Sequence, residues 1–296
     1  LKNMLLKNGT RGNEVKDLQE YLGIHADGVF GKGTEGSVKK WQSDNGLDSD
    51  GIVGPATWDA MGLATTDNSE KVFTTENGLI INRHHLPVGQ YKTGPTNKEY
   101  VFIHHTAGWN NPYNCIDSWG RDNRGAVATE FVLGGQSVKG NDNKYDGEVV
   151  QSFPEGSYGW HLGKNGSQYM HEHSVAIETC NFGYVKNGKT YAGTRVADDQ
   201  IVTLSQPFRG YKDWHRYSDK QIESLHKWIL WVSERDGIDV RKGLPDLIRK
   251  IGVSAFEFQD DAYYGRVKGL WTHTNTRKDK SDMFPQQELI DMLLSL

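Results

Sequence analysis

The chain has 296 residues, enough for one large domain with a small one or for two of middling size. With 36% hydrophobic and 24% charged residues and a formal net charge of -4, it reads as an ordinary globular protein with no basic surface for nucleic acid or an anionic membrane. There is no run of 18 apolar residues to span a bilayer, and "LKNMLLKNGTRG" lacks the apolar centre of a secretion signal; synthesis in the cytoplasm followed by release or delivery is expected.

Only two cysteines occur, Cys115 and Cys180, and neither belongs to a Cys-x-x-Cys pair. That excludes a cysteine zinc site and gives no disulfide framework. Two free buried thiols are expected, with a single bridge between them left open. Nine Trp, 13 Tyr and 34 Gly suit a protein that grips sugars, although both features also serve ordinary cores.

In chain order, "NEVKDLQEYLG" spaces Val15, Leu18 and Leu22 at helical intervals. "DGVFGKGT" (Asp27 to Thr34) then returns as "DGIVGPAT" (Asp50 to Thr57), 23 residues later. Each copy reads as an Asp-Gly turn, an apolar pair, a glycine and a threonine placed to cap a following helix. The segment after Thr34, "EGSVKKWQSDNG", carries Val38 and Trp41 on one face and stops at Gly46. "ATWDAMGL" adds a third helix with Trp58 and Met61. This three-helix arrangement resembles the peptidoglycan-binding module attached to many cell-wall hydrolases, and the resemblance covers residues 5 to 63. A helical domain is therefore expected over 1–64, a polar linker over 65–78, and a larger domain over 79–296.

In the larger domain "KEYVFIHH" is apolar on both faces until its histidines, as a central buried strand would be. Neighbouring side chains in a strand point to opposite faces, so His104 and His105 cannot share one target. "ATEFVLGG" and "GEVVQSF" read as a strand pair, and "HSVAIETC" as a second buried strand carrying Glu178. "SDKQIESLHKWILWVSERDG" opens with a capping box, Ser218 to Gln221, and has an apolar stripe of Leu225, Trp228, Ile229 and Val232 before Gly237. Strands mixed with covering helices give an α/β domain, a mixed central β-sheet flanked by helices.

Zinc accepts imidazole and carboxylate, and a catalytic site uses three protein ligands with one open position. A histidine from a strand end with His273 and Asp282 of "GLWTHTNTRKDKSDMFP" meets that count. His171 and His173 in "MHEHS" are rivals for a shared metal. His84 and His85 read as solvated loop residues, and His215 and His226 as helix-flank or surface residues.

"VFIHHTAGW", "GWHLG", "HSVAIETCNFG" and "THTNTRKDKSD" are similar, in that order, to the zinc N-acetylmuramoyl-L-alanine amidases of type 2, which include phage lysins and relatives of the peptidoglycan recognition proteins. The resemblance covers about Asn97 to Pro285. It implies Zn²⁺ held by His104, His273 and Asp282, with Glu178 as proton-transfer base, Lys280 stabilising the oxyanion and His161 lining the substrate groove. His105 is then a packed or hydrogen-bonded partner on the other face. One branch of the family places a catalytic tyrosine where this chain has Thr129; the other uses a glutamate on the later strand, which Glu178 supplies. The stretch between Gly183 and Leu270 is longer than compact members need, and "YAGTRVADDQIVTLSQPFRGYKDWHRY" is expected to be an added loop shaping the groove.

The implied activity is hydrolysis of the amide between N-acetylmuramic acid and the L-alanine of the stem peptide, by a monomer anchored to the cell wall through its N-terminal module. Three rival readings fit the residues less well. A non-catalytic recognition protein would be expected to lack the third ligand, yet Asp282 and Lys280 are both present. A zinc peptidase acting on the stem peptide needs an Asp seven positions after a His, and His104, His105 and His161 lead instead to Asn111, Pro112 and Gln168. A lectin-like structural protein leaves Glu178, Lys280 and Asp282 without a use.

Overall fold

The computed structural model describes residues 5–61, 72–94, 97–163 and 166–296, and the chain divides into two units, Leu1–Glu70 and Lys71–Leu296. The expected linker lies outside the described residues up to position 71. Beyond that point it is already structured, because Val72–Thr74 forms a strand of the large sheet.

Three helices form in the N-terminal unit, α1 (Asn13–Tyr21), α2 (Lys32–Asp44) and α3 (Pro55–Ala60). They close over Leu6, Val15, Leu18, Phe30, Val38, Val53, Trp58 and Met61. Thr34 and Thr57 are not helix caps. The helices start two residues earlier, at Lys32 and Pro55, so both threonines lie in the first turn and point inward. Each serves a buried glutamine instead. The amide nitrogen of Gln19 donates to Asp27 Oδ1, Val29 O and Thr34 Oγ1 at 2.8, 3.1 and 3.0 Å, while its oxygen accepts from Gly28 N at 2.8 Å. Gln42 repeats every contact 23 positions on, with Asp50 Oδ1, Ile52 O and Thr57 Oγ1 at 2.9, 2.9 and 3.1 Å and Gly51 N at 2.9 Å. A buried amide must satisfy all its polar atoms, and each turn closes around one.

The large unit runs β1 (Val72–Thr74), β2 (Ile80–Arg83), β3 (Lys92–Thr93), β4 (Tyr100–His105), α4 (Pro112–Gly120), β5 (Phe131–Leu133), β6 (Val149–Gln151) and β7 (Ser157–Tyr158). It continues α5 (Gln168–Glu172), β8 (Ser174–Thr179), β9 (Tyr184–Val185), β10 (Ile201–Phe208), β11 (Tyr211–His215), α6 (Asp219–Asp236) and α7 (Leu244–Ile251). It ends α8 (Asp260–Tyr263), β12 (Gly269–Thr272), α9 (His273–Thr276) and α10 (Gln287–Ser295).

Seven strands form one mixed sheet in the order β1-β2-β6-β5-β8-β4-β12. The expected pair β5–β6 is antiparallel, whereas β5, β8, β4 and β12 run parallel to one another. Every residue of β4 is buried, which is why its sequence is an apolar run and not an alternation. Helix α6 covers one face, where Trp228 meets Phe131 edge-on at 5.5 Å. It begins with the capping box of Ser218 and Gln221 and ends at Gly237, whose φ of 68° is the left-handed cap that glycine adopts without strain. Ile116 of α4 packs with Val132, Val150 and Cys180. Cys115 and Cys180 are free thiols.

The segment expected as an added loop is a β-hairpin. β10 and β11 pair antiparallel across Arg209-Gly210, at φ 50° and 83°, and join β9 in a second, three-stranded sheet. None of the segment's residues lines the groove described below, although its first residue, Tyr191, reaches the rim, donating its hydroxyl to Ala107 O at 2.8 Å. His215, expected on a helix flank or at the surface, is buried at the end of β11, where its Nδ1 accepts the Phe182 backbone N–H at 3.1 Å.

Candidate active site

Parallel neighbours place their C-terminal ends along one edge, and the functional side chains of this unit gather there. Register sets the details. His104 is the Cα partner of Glu178 and Ile103 that of Thr272, so His273, the next residue after β12, arrives beside His104. A turn of helix then folds the chain over: the Thr272 hydroxyl and Asn275 side chain form a capping box, and Thr274 N donates to Asp282 O at 3.0 Å.

The result is a convergence of three buried groups. Nδ1 of His104 and Nδ1 of His273 lie 3.3 and 3.0 Å from Oδ2 of Asp282, and one potential ligand atom from each residue lies within 4.8 Å of the other two. Among the described residues this is the one group of three or more His, Cys, Asp or Glu with metal-binding geometry. His171 and His173 do not form a second one; His173 Nδ1 lies 2.6 Å from Asn97 O, and His171 packs against His161.

Burial pushes the His104 imidazolium down to about 4, against the hydrogen bond it donates to Asp282, which favours charge, so the ring is neutral at ordinary pH. Burial alone would raise Asp282, but the charge of His273 and hydrogen bonds from both histidines outweigh it and hold the carboxyl well below its usual range. Two imidazole nitrogens and one carboxylate oxygen, all buried, are a donor set that suits zinc. Nε2 of His273 is buried without a hydrogen-bond partner.

Glu178 leaves the sheet on the same face as His104. Its Oε2 is buried without a partner, and burial, then the charge of Asp282, raises its carboxyl well above the usual value against the pull of Lys280. Lys280 lines the same groove, with Trp160, His161, Arg277 and Thr129. The Thr129 hydroxyl is spent on Phe131 O at 2.7 Å. His105 departs on the opposite face, its Nδ1 2.8 Å from the buried Tyr217 hydroxyl. Gly183, at φ 77°, lies so close that a Cβ there would come within 2.9 Å of His105 Nε2. His161 sits half-buried in the groove wall with Nδ1 3.0 Å from His104 Nε2 and Nε2 2.6 Å from Ser174 Oγ. The sequence placed His161 in the groove but carried no sign of those partners, which come from strands 57 and 13 positions away.

Residues 11–61 match the peptidoglycan binding domain family, and residues 94–281 match the family described as N-acetylmuramoyl-L-alanine amidase. An uncharacterized protein of Kitasatospora aureofaciens is 36% identical over 76 residues, 23% of this chain and 64% of that protein. A spore cortex-lytic enzyme of Oceanobacillus iheyensis is 35% identical over 78 residues, 24% of this chain and 28% of that enzyme. The chain thus spans less than two thirds of either relative's length. Among solved structures, an endolysin N-acetylmuramoyl-L-alanine amidase from Clostridium intestinale aligns at 13% identity over 72% of this chain and 94% of its own, with a TM-score of 0.38.

Proposed function

Since the chain belongs to the N-acetylmuramoyl-L-alanine amidase family, we propose that it is a peptidoglycan hydrolase cutting the amide between the lactyl carbonyl of N-acetylmuramic acid and the L-alanine of the stem peptide. The observation that carries this reading is the convergence of His104 Nδ1, His273 Nδ1 and Asp282 Oδ2 at a groove lined by His273, Asp282, Glu178 and Lys280, with His104 buried beneath it.

In this reading His104, His273 and Asp282 hold one Zn²⁺. When bound, it supplies Lewis acidity, bringing the pKa of water from 15.7 toward roughly 7 and polarising the carbonyl. Glu178 takes a proton from water as its oxygen adds to the carbonyl carbon, then delivers that proton to the amide nitrogen as the C–N bond breaks. Its raised pKa makes it a strong acceptor, and the charge of Lys280 favours its ionised form. Lys280 Nζ stabilises the negative charge that grows on the carbonyl oxygen. The N-terminal unit holds the enzyme on its insoluble polymer at the cell wall, raising local substrate concentration without entering the chemical step.

Chelator treatment tests the metal assignment. Stripped enzyme should lose amidase activity and recover it with one equivalent of zinc, whereas His273→Ala should bind no zinc and recover nothing. Full activity in the stripped enzyme would overturn it.

A further inference from the structure

The ring of His161 stands almost perpendicular to that of His104, at 86° with centroids 5.1 Å apart, and is packed against Phe102 at 5.4 Å. Both of its nitrogens are occupied, Nδ1 by His104 Nε2 and Nε2 by Ser174 Oγ. Ser174 is itself buried at the start of β8, the strand that carries Glu178. Four groups therefore form one chain, Asp282 Oδ2, His104, His161 and Ser174, with contacts of 3.3, 3.0 and 2.6 Å.

With both rings neutral, such a chain has only two consistent proton arrangements, because each imidazole carries one N–H and offers one lone pair. In the first, Ser174 Oγ–H donates to His161 Nε2, His161 Nδ1–H donates to His104 Nε2, and His104 Nδ1–H donates to Asp282. His104 Nδ1 then has no lone pair for a metal. In the second, His104 carries its proton on Nε2 and donates to His161 Nδ1, and His161 Nε2–H donates to Ser174 Oγ. Only this arrangement leaves His104 Nδ1 free to ligate.

We propose that His161 is a positioning residue for the metal centre: with Ser174 it accepts the Nε2 proton of His104, fixing the tautomer and ring orientation in which His104 ligates. Zinc binding switches the chain from the first arrangement to the second. In that switch His161 Nδ1 passes its proton to His104 Nε2, His161 Nε2 takes the Ser174 hydroxyl proton, water reprotonates the serine, and the proton displaced from His104 Nδ1 is released to solvent, so the proton count of the chain is unchanged. His161 consequently has no ring nitrogen left for a substrate group. A ligand histidine whose second nitrogen donates to a fixed acceptor is a better donor, and loss of that acceptor typically costs 10–100-fold in metal affinity. This inference rests on His104 being a zinc ligand.

The test is zinc affinity of the full chain, measured by competition with a chromophoric chelator, with His104 tautomers read by ¹⁵N NMR before and after zinc. His161→Phe keeps an aromatic ring against Phe102 but removes the acceptor, and its zinc Kd should rise about 10–100-fold, with His161→Gln recovering part of the loss. Ser174→Ala, which leaves both rings in place, should weaken zinc in the same direction. In the unsubstituted protein, zinc should move the His104 proton from Nδ1 to Nε2. A zinc Kd within about twofold of the parent in His161→Phe and Ser174→Ala, below the usual cost of such a loss, overturns the role of His161. Unchanged zinc binding in His104→Ala would instead overturn the ligand assignment beneath it.

Discussion

His104 and Glu178 are direct partners across the parallel ladder of β4 and β8, so their side chains leave the sheet on one face and His105 leaves on the other. One register thus sets an imidazole of the candidate metal site beside a buried carboxylate with an unpartnered oxygen. A slip of one residue would exchange His104 for His105 and destroy the site.

Glu178→Gln removes the base while keeping the shape. It should fold, retain zinc, and lose roughly 10²–10⁴-fold in kcat, the span usual for a positioned proton-transfer group. Steady-state kinetics on a soluble muropeptide with parallel metal analysis measure this; activity within a few-fold of the parent would move the base elsewhere.

The two adjacent histidines should respond differently. His104→Ala should abolish zinc binding. His105→Ala should keep its zinc but lose about 1–3 kcal/mol of stability, because it removes the Nδ1 partner of the buried Tyr217 hydroxyl. Metal content and denaturant unfolding of both variants give the comparison, and zinc loss in His105→Ala alone would reverse the assignment.

Lys280→Ala should separate chemistry from binding. Loss of one oxyanion donor costs about 10²–10³-fold in kcat, and KM should stay near its original value because the interaction strengthens only in the transition state. An unchanged kcat would return Lys280 to a merely surface role.

Acid should weaken the large unit through His215. Burial pushes its imidazolium down to about 3 from an ordinary 6.5, so below pH 6.5 the unfolded chain binds a proton that the folded chain refuses. Stability is therefore full above pH 6.5 and falls as pH drops from there toward 3, by up to about 1.4 kcal/mol per pH unit for this group. His215→Gln, which can still accept the Phe182 N–H, should show a shallower loss in unfolding experiments across that window. Parallel curves for the two proteins would mean that His215 is protonated in the fold.

In the N-terminal unit, Gln42→Ala should cost about 3 kcal/mol, since four partners lose a buried hydrogen bond. A small helical unit has little stability to spare. Calorimetry of the full chain should show a lowered transition, with slower digestion of sacculi but unchanged turnover of soluble muropeptides. Equal rates on sacculi would mean that this unit does not anchor the enzyme.

Much of this was legible from local pattern. Strands β4 and β8 are buried on both faces, so their apolar runs stand out, and the histidine pair resolves into one facing each way. The Ser218 box marks the start of α6 because capping is written within four residues. The 23-residue echo, extended backwards, aligns Gln19 with Gln42, but a glutamine in an amphipathic helix reads as a solvated residue until its partners are seen. The β10–β11 hairpin had its signal in Arg209-Gly210, masked by polar residues on a strand with one face in solvent. The His161 and His215 contacts were not legible, because they join segments that only the assembled sheet brings together.

The most direct test of the account is digestion of purified peptidoglycan in ¹⁸O-labelled water, followed by mass spectrometry of the products. The account predicts intact glycan strands with one ¹⁸O in each new muramoyl carboxylate, and stem peptides that begin with a free, unlabelled L-alanine amine. Label at a sugar reducing end, or in a carboxylate within the stem peptide, would contradict it.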